Sequence, residues 1–318
     1  MNPVILTPPS KTSGNPRVHF KNMLFATDLA AASAPAQAYA VLLARMFGSH
    51  LFALHAETGP GLAPRHEKTL RRAIRKSETP VITELAEFFH ASKVPFTLLV
   101  EPGELTGVLD RVVNEHAIDL IILGTRGRKG LSHMLLGSMS ENVSRSSTCP
   151  VITVGPQARA GFENSLKTIL YATDFSDESR AALPYAVSLA QEFNARLVVT
   201  HVAPERLVHD RVHVEGYLMN RLKDLAPQVR YRWCTLEHTV SFGDPARQIL
   251  KTAKEKGADL IVLGLHSSVQ FTSHFPERLA YSIVCDASCP VMSVLPSLRE
   301  MKLARAPAAF LAMAANMN

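Results

Sequence analysis

"MLFATDLA" (23–30) and "ILYATDFS" (169–176) are two versions of the same stretch, 146 residues apart. Three further pairs of apolar stretches recur in the same order along the chain, the last two at a spacing of 140: "LFALHA" (51–56) with "LVVTHV" (197–202), "DLIILG" (119–124) with "DLIVLG" (259–264), and "TCPVITV" (148–154) with "SCPVMSV" (288–294). Four matches in one order indicate that the chain contains one unit twice.

Each unit alternates short apolar runs of strand length with longer stretches of helical periodicity. Runs such as "LIIL" (120–123) lack polar alternation, which is typical of strands buried on both faces. Strand, helix and strand in regular succession predict right-handed crossovers and a parallel sheet. The predicted fold class is therefore α/β, with two tandem doubly wound domains, each a five-stranded parallel sheet with helices on both faces.

The predicted organisation follows from the repeat and from the composition of its flanks. It comprises a flexible tail at 1–19, a first domain at 20–155, a linker at 156–165, a second domain at 166–296 and a tail at 297–318. The opening segment has no basic region before its short apolar run, so it does not resemble a signal peptide. The last residues are alanine-rich and apolar, and they either pack or fray, or dock on a partner or a membrane surface.

Composition excludes several classes of protein. Of the 318 residues, 47% are hydrophobic and 19% charged, which is typical of a compact globular chain. No apolar run approaches the roughly 18 to 20 residues of a membrane span. Four cysteines form no disulfide scaffold, so we expect reduced thiols and a cytoplasmic protein. The net charge of +6 is spread along the chain and predicts no specific nucleic-acid contact; the cluster "RHEKTLRRAIRK" (65–76) is either a solvated helix face or a contact for an anionic partner.

Two polar clusters follow the first and fourth predicted strands of the first unit. "ATD" (26–28) follows the first, and the glycine loop "GTRGRKGLSHMLLGS" (124–138) begins at the end of the fourth. If these strands are neighbours, the clusters face each other across a crevice, where such sheets bind ligands. The glycines allow close backbone approach, and a helix beginning at Gly137 and Ser138 suits a phosphate. The alternative is that the glycines only shorten a turn and that Ser138 only caps a helix.

The loop differs from the Walker and Rossmann patterns but resembles another. Gly124-x-x-Gly127, nine residues and then Gly137-Ser138 is similar to the G-x-x-G-(nine residues)-G-S/T pattern of nucleotide-binding universal stress proteins. The resemblance covers roughly residues 20–155 and 165–296. It implies a strand order of 3-2-1-4-5 and an ATP site in the first unit.

The resemblance also implies roles for individual residues. Asp28, flanked by Ala26 and Thr27, would contact the adenosine part, and the backbone around Ala56 would meet the adenine. The residues at and beside the phosphates would be Leu123, Gly124, Gly127, Gly137, Ser138, Met139 and Ser140. Arg126, Arg128 and Lys129 are not part of the pattern, and they either pair with phosphate or lie on a solvated loop tip. The sequence leaves open whether Mg²⁺ accompanies the nucleotide.

The second unit departs from this pattern. It keeps Asp174, Val202 and Gly264, but Ser267 replaces the second glycine, and Glu277 with Arg278 stand where Gly137 and Ser138 stand. Because a carboxylate at the phosphate position repels phosphate, we expect the second site to be empty or much weaker.

These observations predict a regulatory stress-response protein that binds ATP, or another adenine nucleotide, with little or no turnover. A slow ATP hydrolase and a nucleotide-independent scaffold for an unknown protein partner remain alternatives. The resemblance further implies an internal pseudo-dimer through strands 150–154 and 290–295, while pairing of whole chains stays open.

Other polar side chains receive a structural interpretation. His55 and His201 occupy matching positions and are expected to be structural. Cys285 and Cys289 lie four residues apart on a predicted helix, after His266 and His274. We expect the cysteines to be buried thiols and the histidines to be ordinary loop residues, and the four not to form a zinc site.

Overall fold

The computed structural model describes residues 18–29, 33–57, 79–125, 147, 149–159, 165–225, 235–265 and 278–295. Part of the predicted nucleotide site lies outside these ranges, namely Arg126, Gly127, Gly137, Ser138, Met139 and Ser140. Ser267 and Glu277 of the second half lie outside them as well.

The first half alternates strands and helices up to its fourth strand, and the residues in which the sequence predicts the next helix lie outside the described ranges. Its described elements are β1 (Asn22–Ala26), α1 (Ala34–Phe47), β2 (His50–Glu57), α2 (Thr79–Ser92), β3 (Phe96–Pro102), α3 (Leu105–Glu115), β4 (Leu120–Gly124) and β5 (Val151–Val154).

The second half follows the same succession, and the structure describes there two elements whose counterparts in the first half lie outside the described ranges, a short 3-10 helix and a helix between the last two strands. Its described elements are β6 (Thr168–Ala172), α4 (Asp177–Glu192), β7 (Arg196–Ala203), the 3-10 helix (Glu205–Asp210), α5 (Arg211–Leu225), β8 (Leu236–Phe242), α6 (Pro245–Lys256), β9 (Leu260–Gly264), α7 (Arg278–Asp286) and β10 (Val291–Val294). Within the described residues, no helix combines the length and the apolar character that a membrane crossing needs.

The order of the strands confirms the predicted fold class. The sheet runs β3-β2-β1-β4-β5-β10-β9-β6-β7-β8, so each half has the order 3-2-1-4-5. Every pairing within a half is parallel. Because β1 and β6 are central strands with β2 or β7 on one side and β4 or β9 on the other, each half has a switch point at which the chain turns in opposite directions.

The two halves meet through their last strands. β5 and β10 pair antiparallel, with Ile152 opposite Met292 and Thr153 opposite Val291. These are the strands that the resemblance pointed to. The pairing turns two five-stranded sheets into one of ten strands, in which neither β5 nor β10 is an exposed edge.

The hydrophobic core also runs through both halves. One buried cluster contains Phe25 of β1, Ile152 of β5, Met292 of β10 and Ile169 of β6. The opposite face of the sheet carries two separate clusters, one for each half. One face therefore folds as a single core, because the strand pairing at the centre leaves no gap between the halves.

Aromatic contacts join the helices that cover this shared face. The ring centroid of Phe47, at the end of α1, lies 6.4 Å from that of Phe193, just after α4. Phe20 lies 5.0 Å from Phe47 and 6.3 Å from Tyr185 of α4. Val18 belongs to the amino-terminal tail that the sequence predicts. Its amide donates a hydrogen bond to the Ser188 hydroxyl of α4 at 2.8 Å. The residues just before β1 thus contact the second half.

The aspartate of each repeated "DLI" stretch, Asp119 or Asp259, has a structural role. A carboxylate oxygen of Asp119 accepts hydrogen bonds from the Lys21 and Asn22 amides, at 2.7 and 3.0 Å. Asp259 accepts equivalent bonds from residues 167 and 168, at 2.7 and 2.9 Å. Each aspartate therefore fastens the beginning of the first strand to that of the fourth, with charge-assisted bonds.

Gly155, directly after β5, makes a close backbone contact between the halves. A Cβ atom at this position would overlap the carbonyl oxygen of Val284 in α7. The residues that follow stay in contact with the second half, since the Arg159 amide donates to the Ser288 carbonyl at 3.1 Å.

We expect Gly155→Ala to lower the free energy of unfolding by about 1–3 kcal/mol, because the added methyl group forces two backbones apart. Urea denaturation measures this effect. The matched control is Gly216→Ala on the exposed side of α5, where no described atom lies within 4 Å of an added Cβ. That change should stabilise the helix by about 0.5–1 kcal/mol. Equal urea midpoints for Gly155→Ala and the native chain would contradict the close contact.

Candidate functional site

The described part of the candidate site lies where β1 and β4 end. Ala26 pairs with Leu123, which brings Thr27 and Asp28 beside Gly124. β2 ends on the other side of β1, and its Ala56 is half-buried. The predicted condition that the first and fourth strands are neighbours is met, so the two strand ends lie side by side at the switch point of the sheet.

A tight turn follows β1. The Thr27 amide donates to the Leu54 carbonyl at 2.9 Å, and the Thr27 carbonyl accepts a bond from His55 Nδ1 at 2.9 Å. The Thr27 hydroxyl accepts from the Leu29 amide at 3.0 Å, and Leu29 has a φ of 60°. Because a left-handed conformation is unfavourable for leucine, these bonds hold the turn against its intrinsic preference. Asp28 lies within this turn, between Thr27 and Leu29.

The second half contains the same turn. The Thr173 amide donates to the Thr200 carbonyl at 3.0 Å, His201 Nδ1 donates to the Thr173 carbonyl at 2.8 Å, and the Thr173 hydroxyl accepts from the Phe175 amide at 3.0 Å. Phe175 has a φ of 66°. His55 and His201 therefore both tie the second strand of their half to the turn after the first, a structural role.

Asp28 is held by a serine that the sequence analysis did not single out. The Ser33 hydroxyl donates to Asp28 Oδ1 at 2.7 Å, and Ser33 is only 6% exposed. Ser33 also lies next to the end of β4, because a methyl group on Gly124 would be 3.9 Å from its Cα and 3.6 Å from the Ala36 methyl. Comparison of the two repeats could have pointed to Ser33, since Ser179 occupies its position in the second half.

The structure places six of the predicted site residues at three neighbouring strand ends, and the binding role of all the predicted site residues stays a prediction. Those at the three strand ends are Ala26, Thr27, Asp28, Ala56, Leu123 and Gly124. The six residues of the loop and its helix lie outside the described residues, so their contact with phosphate stays a prediction.

The glycine of the second half has a structural reason of its own. A Cβ atom on Gly264 would overlap the carbonyl of Glu178 in the first turn of α4. The helix therefore packs directly against the end of β9, and Gly264 is required there with or without a ligand. The expectation of a weak second nucleotide site rests on Ser267 and Glu277 and is not tested by this contact.

The structure does not place Cys285 and Cys289 on one helix, contrary to the sequence prediction. α7 ends at Asp286, so Cys285 and Cys289 do not share a helix face. Burial raises the pKa of the Cys289 thiol to about 12 and also raises the pKa values of Cys149 and Cys285. His266 and His274, the other two residues considered for a zinc site, lie outside the described residues. No group of three His, Cys, Asp or Glu side chains suited to a metal ion occurs in the described part of the chain.

The half-buried His201 predicts a pH dependence of stability. Burial lowers the pKa of His201, and burial with the nearby Lys223 lowers that of His238. A histidine whose pKa is lower in the folded chain takes up its proton first in the unfolded chain. Stability is therefore complete above about pH 6.5 and is lost as the pH falls from there towards the folded pKa, by at most about 1.4 kcal/mol per pH unit for each histidine.

Urea unfolding between pH 8 and pH 5 measures this loss. We expect His201→Gln to reduce the slope of the free energy of unfolding against pH below pH 6.5. His238→Gln measures the contribution of His238 to the same slope. An identical slope in the native chain and in His201→Gln would contradict the lowered pKa of His201 in the folded chain.

Comparisons with known proteins agree on one family. The sequence pattern described as the universal stress protein family matches residues 19–155 and again 165–294. The universal stress protein YxiE of Bacillus subtilis is 32% identical over 146 residues, which span 42% of this chain and 99% of that protein. A universal stress protein of Methanocaldococcus jannaschii is 30% identical over 152 residues, 43% of this chain and 87% of the other.

A solved structure shows the same fold over most of the chain. The universal stress protein from Archaeoglobus fulgidus aligns with a TM-score of 0.66 and 20% identity, covering 87% of this chain and 98% of its own. At this identity the likeness concerns the fold alone. From the two matches of the family pattern, one in each half, we conclude that the chain belongs to the universal stress protein family and carries two of its domains in tandem.

Proposed function

We propose that this protein is a regulatory stress-response protein that binds ATP in its first half, with little or no turnover. The observation that carries the proposal is that Asp28 and Gly124 follow neighbouring strand ends, since Ala26 at the end of β1 pairs with Leu123 of β4. Ligands of doubly wound sheets bind at this place, and a glycine there lets a phosphate approach the backbone.

In the proposed complex, each strand end meets a different part of the nucleotide. Asp28 lies at the adenosine part, and the backbone around Ala56 lies at the adenine. The phosphates are held by Gly124 together with the glycine loop, that is by Gly127, Gly137 and Ser138, with Arg126, Met139 and Ser140 alongside. The amides of such a loop and of a helix start favour an anion.

We infer binding over hydrolysis because the described residues at the ends of β1 and β4 offer few catalytic groups. Hydrolysis needs a positioned water, a base and usually a metal held by carboxylates. Among the described residues at the ends of β1 and β4, Asp28 carries the one carboxylate, and it accepts a hydrogen bond from Ser33. Mg²⁺ would enter with the phosphates, to which it contributes charge neutralisation.

The proposal includes a cytoplasmic location. Cys149, Cys285 and Cys289 are free thiols. Buried reduced cysteines are typical of proteins from reducing compartments.

Titration calorimetry on the full chain tests the nucleotide site. The full chain is required because the two halves share one core. We expect one ATP per chain, with ADP, AMP and the presence of Mg²⁺ as the comparisons. Asp28→Asn should weaken binding about tenfold, equal to about 1.4 kcal/mol, because it removes the charge at the adenosine part. The matched control is Asp174→Asn in the equivalent turn, which should leave the affinity unchanged.

Three outcomes would overturn parts of the proposal. Loss of binding in Asp174→Asn but not in Asp28→Asn would assign the nucleotide to the second half. A chain whose melting temperature does not rise in excess ATP binds none, and would be a scaffold. Rapid phosphate release in a single turnover, abolished by Asp28→Ala, would make the protein a hydrolase.

A further inference from the structure

The two halves hold their equivalent aspartates in different ways. In the second half, Asp174 Oδ1 accepts hydrogen bonds from the amide and the hydroxyl of Ser176, two residues further on, at 3.0 and 2.5 Å. The residue at the equivalent position of the first half is Ala30, which has no hydroxyl. The bond that the second half makes to its aspartate with this hydroxyl is therefore impossible in the first.

Ser33 makes the bond instead, from a different position. Its hydroxyl donates to Asp28 Oδ1 at 2.7 Å, five residues away along the chain. Its counterpart Ser179 does not contact Asp174 in this way, and bonds to the Ser176 carbonyl at 3.0 Å and the Thr173 hydroxyl at 2.9 Å. Both serines are buried, at 6% and 4% exposure, so the hydroxyl is kept while its partner is exchanged.

The Ser33 hydroxyl bonds to Asp28 and does not cap the helix α1 that Ser33 precedes. Ser33 precedes the first residue of α1, where a serine side chain ordinarily accepts a bond from an amide of the first turn. Its side chain makes no such capping bond, whereas Ser176 caps α4 by accepting from the Ser179 amide. Since a carboxylate oxygen only accepts, the Ser33 hydroxyl is the donor, and the bond is charge-assisted.

We propose that Ser33 is a positioning residue that fixes the orientation of the Asp28 carboxylate towards the adenosine part of the bound nucleotide. This inference rests on the proposed ATP site. Ser33 borders both strand ends of that site, because its hydroxyl meets Asp28 and its Cα lies beside Gly124. A carboxylate held in place before binding loses less rotational freedom when the ligand arrives.

The test combines affinity with a conservative replacement. On the full chain, Ser33→Ala should weaken ATP binding about fivefold to tenfold, whereas Ser33→Thr, which keeps the hydroxyl, should recover at least half of the loss in binding free energy. Ser33→Cys keeps the side-chain volume with a weak donor and should behave like Ser33→Ala. The matched control is Ser179→Ala, which removes the equivalent buried hydroxyl and should leave ATP affinity unchanged.

A double-mutant cycle distinguishes positioning of Asp28 from a general effect on the fold. In the Asp28→Ala background, Ser33→Ala should change the dissociation constant by less than about twofold, because the residue it positions is gone. Equal losses in both backgrounds would overturn the inference, as would native affinity in Ser33→Ala. If Ser33→Ala does not fold, native affinity in Ser33→Cys would overturn it in the same way. Absence of ATP binding by the native chain would instead overturn the proposed function, and the positioning role with it.

Discussion

The antiparallel pairing of β5 with β10 is the contact on which the rest of the structure depends. It joins the two sheets at the centre of the molecule and allows one hydrophobic cluster to extend beneath the helices of both halves. Gly155 continues the contact beyond the strand, where its backbone meets α7 of the second half. The halves are therefore related by duplication but stabilised as one core, and a substitution at the junction affects both.

The turn after the first strand of each half has a structural role that does not depend on a ligand. Threonine, histidine and a left-handed residue recur with matching bonds in both halves, although only the first half retains the glycine loop. Gly264 illustrates the same point, since helix packing requires it. The residues that differ between the halves are therefore more informative about the ligand than those that recur, and Ala30 in the place of Ser176 is such a difference.

Much of the fold followed from the sequence by physical reasoning. Continuous apolar runs predicted strands buried on both faces, and their alternation with helical periodicity predicted the parallel pairing found within each half. The order 3-2-1-4-5 was implied by the family resemblance. The strand ends that carry Asp28 and Gly124 were also placed correctly. The helix face proposed for Cys285 and Cys289 was wrong, because α7 ends at Asp286 and apolar periodicity locates helix ends poorly.

The sequence by itself determined the duplication, the class of each element and the residues that follow each strand, because these depend on local periodicity and on spacing along the chain. Only the tertiary structure decided which hydroxyl holds which aspartate, that Asp119 and Asp259 fasten strand beginnings, and that Gly155 must lack a side chain. A hydrogen bond is made over about 3 Å and depends on direction, so its partner is selected by backbone positions that distant segments set together.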